Sequence, residues 1–198
     1  QKRKNENLKK RKICDILSRY DLEKNRDVNT RYVVMIGGHD MGQVVLLTGG
    51  SSGIGLQTAI ALQQAGYDVY EISRNHVQTP GVVHITGDVT DDESVETAVN
   101  KVLQTAGRID ILINNAGFGI SGAVEFTDTQ TAMSQFDVNF FGMVRMCRAV
   151  LPYMRKAGNG KIINLSSVAA TIPIPFQTFY SASKAAINAY TMALANEV

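Results

Sequence analysis

Gln43-Val44-Val45-Leu46-Leu47-Thr48-Gly49-Gly50-Ser51-Ser52-Gly53-Ile54-Gly55 decides how the rest of the chain is read. Residues 44–47 form a short apolar run rich in β-branched side chains, the pattern of a buried strand, and Thr48 leads from it into a glycine-dense turn. Behind the turn, Leu56, Ala59 and Ile60 recur at helical spacing. A strand that passes through a glycine loop into a helix N-terminus is a device for holding phosphate. Glycine lets the backbone approach the anion, and the first helical N–H groups and the helix dipole face it. The loop is not a Walker A, because Leu56 stands where that motif has Lys, and Thr58 replaces the third glycine of G-x-G-x-x-G. Read as T-G-x-x-x-G-x-G it is complete at Thr48, Gly49, Gly53 and Gly55, and the expected cradle comprises Gly49, Ser51, Ser52, Gly53, Ile54 and Gly55. The alternative is a glycine turn that joins two elements and binds nothing.

Outward from this stretch, strands and helices alternate. Residues 68–72, 82–86, 109–113 and 161–165 read as the second to fifth strands. Thr90-Asp91-Asp92-Glu93 resembles a capping box that opens a helix with Val95, Val99, Val102 and Leu103 inward. A long helix is expected over 129–156, kinked or ended by Pro152, with a turn at Gly158-Asn159-Gly160 and a last helix over 178–198. The alternation predicts an α/β fold, a three-layer doubly wound parallel sheet of the Rossmann type with ligands at the carboxyl ends of its strands.

The chain has 198 residues, enough for one domain with a sizeable core. Its formal charge of +2 hides an asymmetry: residues 1–40 hold 11 Lys/Arg against 6 Asp/Glu, and 41–198 hold 9 against 12. Residues 1–40 therefore read as a basic extension, with Ile13, Ile16, Leu17 and Tyr20 along one weak helical face and a strand-like 32–36 at its end. Residues 41–198 read as the nucleotide-binding and catalytic domain. The mildly acidic body argues against a nucleic-acid surface. Cys14 and Cys147 are too few for a disulfide framework or a zinc site, His39, His76 and His84 have no ligand spacing, and no metal is expected. No run of 18 apolar residues occurs and no apolar h-region follows the basic start, so a soluble, cytoplasmic protein with no membrane partner is expected.

The chemistry gathers at the strand ends. Ser73-Arg74 closes the second strand, where a dinucleotide fold meets the adenosine ribose. With Arg74 there and no acid at 73–75, NADP(H) is favoured over NAD(H); the alternative is a surface arginine. Asp88-Val89 either contacts the adenine edge or forms a strand-end turn. Asn114-Asn115-Ala116-Gly117 ends the fourth strand, where Asn114 either fixes a sugar or ties strands together, and Ala116 and Gly117 let a cofactor approach. Tyr180-Ser181-Ala182-Ser183-Lys184 puts a phenol and an ammonium four apart on one helical face, where the cation favours the phenolate. Ser167 follows the fifth strand at the same end of the sheet, so a hydroxyl can hold a carbonyl oxygen while Tyr180 donates or accepts the proton.

In this order and at these separations, Thr48-Gly49-x-x-x-Gly53-x-Gly55, Asn114-Asn115-Ala116-Gly117, Ser167 and Tyr180-x-x-x-Lys184 resemble the short-chain dehydrogenase/reductase family from Gln43 to Val198. The resemblance implies hydride transfer between NADP(H) and a carbonyl/alcohol pair. Tyr180 would be the general acid/base, Lys184 would tune it and bind the nicotinamide ribose, Ser167 would orient the substrate oxygen, and Asn139 would hold a relay water. It further implies a small-molecule carbonyl or alcohol substrate and a homodimer. Phe118-Gly119-Ile120, Val168 and 172–176 make the expected mouth apolar, suggesting an apolar substrate. Family members continue past the Tyr/Lys helix with two more strands and a substrate-covering region, whereas this sequence stops at Val198. The expectations are a sheet lacking those last strands, its fifth strand either an open edge or paired with 32–36, and weak or absent activity. A nucleotide-binding or scaffold protein is the alternative.

Overall fold

The computed structural model describes the backbone of residues 33–36 and all of residues 42–198. The expected helical face at 13–20, Cys14 and His39 lie outside the described residues. The strands are β1 (Val33–Ile36), β2 (Val44–Thr48), β3 (Asp68–Ser73), β4 (Val82–Thr86), β5 (Ile111–Asn114) and β6 (Gly160–Asn164). The helices are α1 (Gly53–Gln64), α2 (Asp92–Ala106), α3 (Thr129–Phe136), α4 (Met143–Ala157) and α5 (Thr178–Leu194).

The sheet order is β1-β6-β5-β2-β3-β4. All pairings from β6 to β4 are parallel, with Thr48 beside Asn114 and Ile72 and Asn114 beside Asn164. These strand ends therefore lie along one rim. β1 is antiparallel to β6, with Val33 opposite Ile163 and Ile36 opposite Gly160. Thus part of the segment read as an extension supplies a strand, and the second of the two expectations for the β6 edge holds.

Side-chain alternation along β2 explains the three layers. Val44 and Leu46 face a core built with Val95, Val99 and Val102 of α2, Met146, Val150 and Met154 of α4, and Ile187 of α5. Val45 and Leu47 face the opposite core with Ala59 and Leu62 of α1. Valine and leucine throughout this central strand are fully buried, as a parallel sheet covered on both faces requires. Apolar burial on this scale is the main stabilising force of the fold.

Three local expectations are corrected. Helix α2 is capped by Asp91, whose carboxylate accepts from Ser94 N at 2.7 Å; Thr90 instead bonds Asp88 through both its N–H and its hydroxyl. Asp competes well with Thr for this role because its charged oxygen also meets the helix dipole. Of the two expectations for Pro152, a kink or an end, the second does not hold, because the helix runs on to a left-handed Gly158. Pro152 and Arg148, whose carbonyl loses its usual donor, are both exposed, so that carbonyl is on the water side. Finally, the expected single helix over 129–156 contains a π-helical turn at Asp137–Gly142 between α3 and α4.

Candidate functional site

A cleft of about 1120 Å³ opens along the carboxyl rim, and every strand from β2 to β6 leads into its wall. Gly49, Ser51, Ser52, Gly53, Ile54 and Gly55 line one end, Arg74, Asp88 and Val89 the adjoining wall, Ala116 and Gly117 the middle, and Tyr180 and Lys184 the far end. The glycine loop, the turn after β5 and the Tyr180/Lys184 pair thus meet around one space, whereas Ser167 and Asn139 are not among the residues that line it.

The glycine loop is folded by contacts that only glycine admits. Gly49 has φ +71°, and a Cβ on Gly55 would lie 2.1 Å from Gly49 O. Thr48 Oγ1, buried, accepts from Asn115 N at 3.1 Å and Ala116 N at 3.0 Å. In return Asn115 Nδ2 donates to Thr48 O and Gly49 O, both at 3.0 Å. This clasp ties the loop after β2 to the turn after β5. Helix α1 begins at Gly53 with no side-chain cap and no acidic residue in its first turn, so no carboxylate of its own offsets its N-terminal dipole. A dinucleotide phosphate fits such a cradle.

The two readings of Asn114 are resolved by geometry. Its side chain is buried, donating to Asn164 Oδ1 at 2.8 Å and reaching Cys147 Sγ at 3.4 Å, while Asn164 Nδ2 donates to Thr191 Oγ1 at 2.9 Å. Asn114 therefore ties β5 to β6 and α5 and does not line the cleft; its neighbour Asn115 does. Burial pushes the Cys147 thiol up to about 12, which makes it a poor nucleophile.

At the wall that carries Arg74, burial raises the Asp88 carboxyl. The Thr90 hydrogen bonds at 2.9 and 2.8 Å, with Arg74 and Arg145 nearby, outweigh this and hold it below the ordinary carboxylate value. Arg145 also pairs with Asp137 at 2.8 Å and donates to Val89 O at 3.3 Å, so it braces this wall against the π-helical turn. Sequence reasoning missed Arg145 because nothing local distinguishes it from a surface arginine.

At the far end, Lys184 is buried and donates from Nζ to Leu165 O at 2.8 Å, with Nζ 5.8 Å from the centre of the Tyr180 ring. Burial pushes its ammonium down to about 8. Asn139, buried in the π-helical turn, accepts from Phe118 N at 2.9 Å and donates to Phe118 O at 2.8 Å and Ser183 Oγ at 3.2 Å. It stands behind Gly117, where a Cβ would fall 3.0 Å from Asn139 Oδ1 and 3.7 Å from Lys184 Nζ. Ser167 begins a short 3-10 turn, its hydroxyl accepting from Ala169 N at 3.2 Å, and its neighbours Leu165 and Ser166 line the cleft. Phe118, Val168, Ile172, Ile174 and Phe176 are exposed. No group of metal-ligating side chains occurs among the described residues, and no helix among them is long and apolar enough to cross a membrane.

A family model described as short chain dehydrogenase matches residues 43–198. A 3-ketodihydrosphingosine reductase of Bacteroides thetaiotaomicron is 50% identical over 157 residues, 79% of this chain and 58% of that protein. The chain thus spans little more than half the length of that curated relative. Among solved structures, the 3-ketoacyl-(acyl-carrier-protein) reductase of Brucella melitensis, complexed with NADH, has a TM-score of 0.76 and 29% identity, covering 79% of this chain and 70% of that one. ElxO with NADP bound has a TM-score of 0.75 and 30% identity, covering 79% and 68%.

Proposed function

Because the chain belongs to the short-chain dehydrogenase family, we propose that the protein is an NADP(H)-dependent oxidoreductase that interconverts a carbonyl and an alcohol, with Tyr180 as general acid/base. The observation that carries this reading is the single cleft that holds the glycine loop at one end and the Tyr180–Lys184 pair at the other. Bound in the cradle, the dinucleotide supplies the hydride; the protein supplies position and electrostatics. In the reducing direction, Tyr180 gives its phenolic proton to the substrate oxygen. Lys184 draws charge towards its ammonium, and Ser167 holds the same oxygen. Asn139 fixes the Phe118 backbone and the Ser183 hydroxyl behind this centre, a placement compatible with a relay water beside Lys184.

Relatives are solved with NADH and with NADP. The preference for NADP(H) rests on Arg74 at the end of β3, which lines the cleft and can form a charge-assisted fork on a 2′-phosphate. The exposed apolar side chains at 118, 168, 172, 174 and 176 and the identity to a ketosphingoid reductase both favour an apolar carbonyl substrate.

Tyr180→Phe tests the mechanism. It should abolish carbonyl-dependent NADPH oxidation while leaving the NADPH dissociation constant within about twofold, since only the hydroxyl is removed. A Tyr180→Phe variant with normal turnover would sink the assignment.

A further inference from the structure

One buried carboxylate at the adenosine end of the cleft has no part in the mechanism above. Glu71 lies in mid-β3 and is 3% exposed. His84, its register partner on β4, meets Glu71 Oε1 through Nδ1. Ser73 Oγ lies 3.2 Å from the same oxygen and 3.0 Å from Asn75 O. His84 Nε2 is 3.0 Å from Thr86 Oγ1, and the His76 ring sits 4.6 Å from that of His84. Glu71 Oε2 has no hydrogen-bond partner among the described residues. It faces the glycine loop, because a Cβ on Gly50 would fall 2.8 Å from it. The loop therefore rests on a carboxylate whose other oxygen is tied to Ser73, and Ser73, Arg74 and Asn75 line the cleft.

An anion in this position is costly twice over: it is buried, and it lies under a surface suited to phosphate, which it repels. The elements packed on β3 offer little to neutralise it. Strand β2, the loop at 49–52 and helix α1 contain no ionisable side chain, and β4 contributes His84 alone. The end of β3 adds only Arg74 and His76, both exposed. The charge beneath the loop is set by whether Glu71 and His84 hold one proton between them. Nδ1–H can donate to Glu71 in either state, with Thr86 accepting from Nε2–H or donating to Nε2. Losing the proton therefore alters charge while the hydrogen bonds persist.

We propose that Glu71 and His84 are a positioning and charge-setting pair for the dinucleotide's phosphates, seating the Gly50 turn and the Ser73 strand end and favouring phosphate most when the pair keeps its proton. This rests on the reading of the cleft as a dinucleotide site. ADP-ribose is the probe, because its pyrophosphate does not titrate near neutrality and it lacks the nicotinamide that would engage the Lys184 end. Its affinity is measured calorimetrically from about pH 5.5 to 8. Wild-type affinity should fall roughly three- to tenfold across that range. Glu71→Gln removes the anion and leaves His84, so it should bind more tightly than wild type at pH 8 and keep a slope; His84→Gln should be flat at the weak level, and His76→Gln should keep the slope. A flat wild-type profile overturns the proposal even if a variant does not fold. A slope that survives in His84→Gln, one that vanishes in His76→Gln, or a Glu71→Gln variant that binds no more tightly than wild type at pH 8 also overturns it. Failure of ADP-ribose to bind at any pH would instead remove the dinucleotide reading on which it rests.

Discussion

Replacing Thr48 by valine removes one hydroxyl and nothing else of consequence, since the two side chains have nearly the same shape. Thr48 is 1% exposed, and its Oγ1 is the acceptor for two backbone donors, Asn115 N and Ala116 N. Thr48→Val leaves both N–H groups without that acceptor. An unsatisfied buried donor costs about 1–3 kcal/mol, and Asn115 and Ala116 are only half-buried, so the lower half of that range applies to each. The expected loss is therefore about 2–4 kcal/mol, a large part of an ordinary domain's stability. With a urea dependence of roughly 2 kcal/mol per molar, the midpoint should drop by about 1–2 M. Thr48→Ser keeps the acceptor and loses one methyl, costing about 1 kcal/mol. Because the clasp joins the glycine loop to the turn after β5, the valine variant should also bind NADPH more weakly than the serine variant. A valine variant as stable as the serine one, with an unchanged urea slope, would show that Thr48 Oγ1 does not hold the loop.

Gly55→Ala places a methyl 2.1 Å from Gly49 O and 2.5 Å from Asn115 Nδ2, so the loop must shift; an overpacking cost of about 1–3 kcal/mol predicts a roughly tenfold or greater loss of NADPH affinity, and binding within about twofold of wild type would contradict the tight fit. Arg74→Ala should weaken NADPH by about 10- to 100-fold and NADH hardly at all; equal losses for both would show that Arg74 does not read the 2′-phosphate. Lys184 has a folded value of about 8, below the ordinary 10.5. The native state therefore holds fewer protons than the unfolded chain between those values, and stability relative to Lys184→Met should rise with pH across that window by roughly 2–3 kcal/mol. Urea melts at pH 7.5, 9 and 10.5, flat in that difference, would refute it.

Much of the fold is legible because its signals are local. Apolar runs mark β2 to β6, glycine at 49 and 55 marks a close backbone approach, and one helical turn brings Tyr180 near Lys184. What escapes is set by contacts distant in sequence or by phase. The Thr48–Asn115 clasp joins residues far apart in the chain, and the sequence cannot say which of two adjacent asparagines turns inward. Asn114 is the last residue of β5 and points into the core, whereas Asn115 opens the turn behind it and reaches the glycine loop, so the two have opposite fates. Glu71 and His84 look like isolated polar residues until β3 and β4 are put in register. The π-helical turn is hidden because one extra residue scarcely disturbs an apolar periodicity read over 28 positions.

That turn also sets the phase of the helix that follows it. A helix advances about 100° per residue, so rewinding 137–142 into regular α-helix with every residue kept would rotate everything downstream by about that angle. Met146, Cys147, Val150 and Met154, all at most 1% exposed, would swing away from the sheet. The widened turn instead takes up one residue and leaves α4 aligned with its core, so a one-residue deletion there, rewound as α-helix, would cost the turn's own contacts and not the packing of α4.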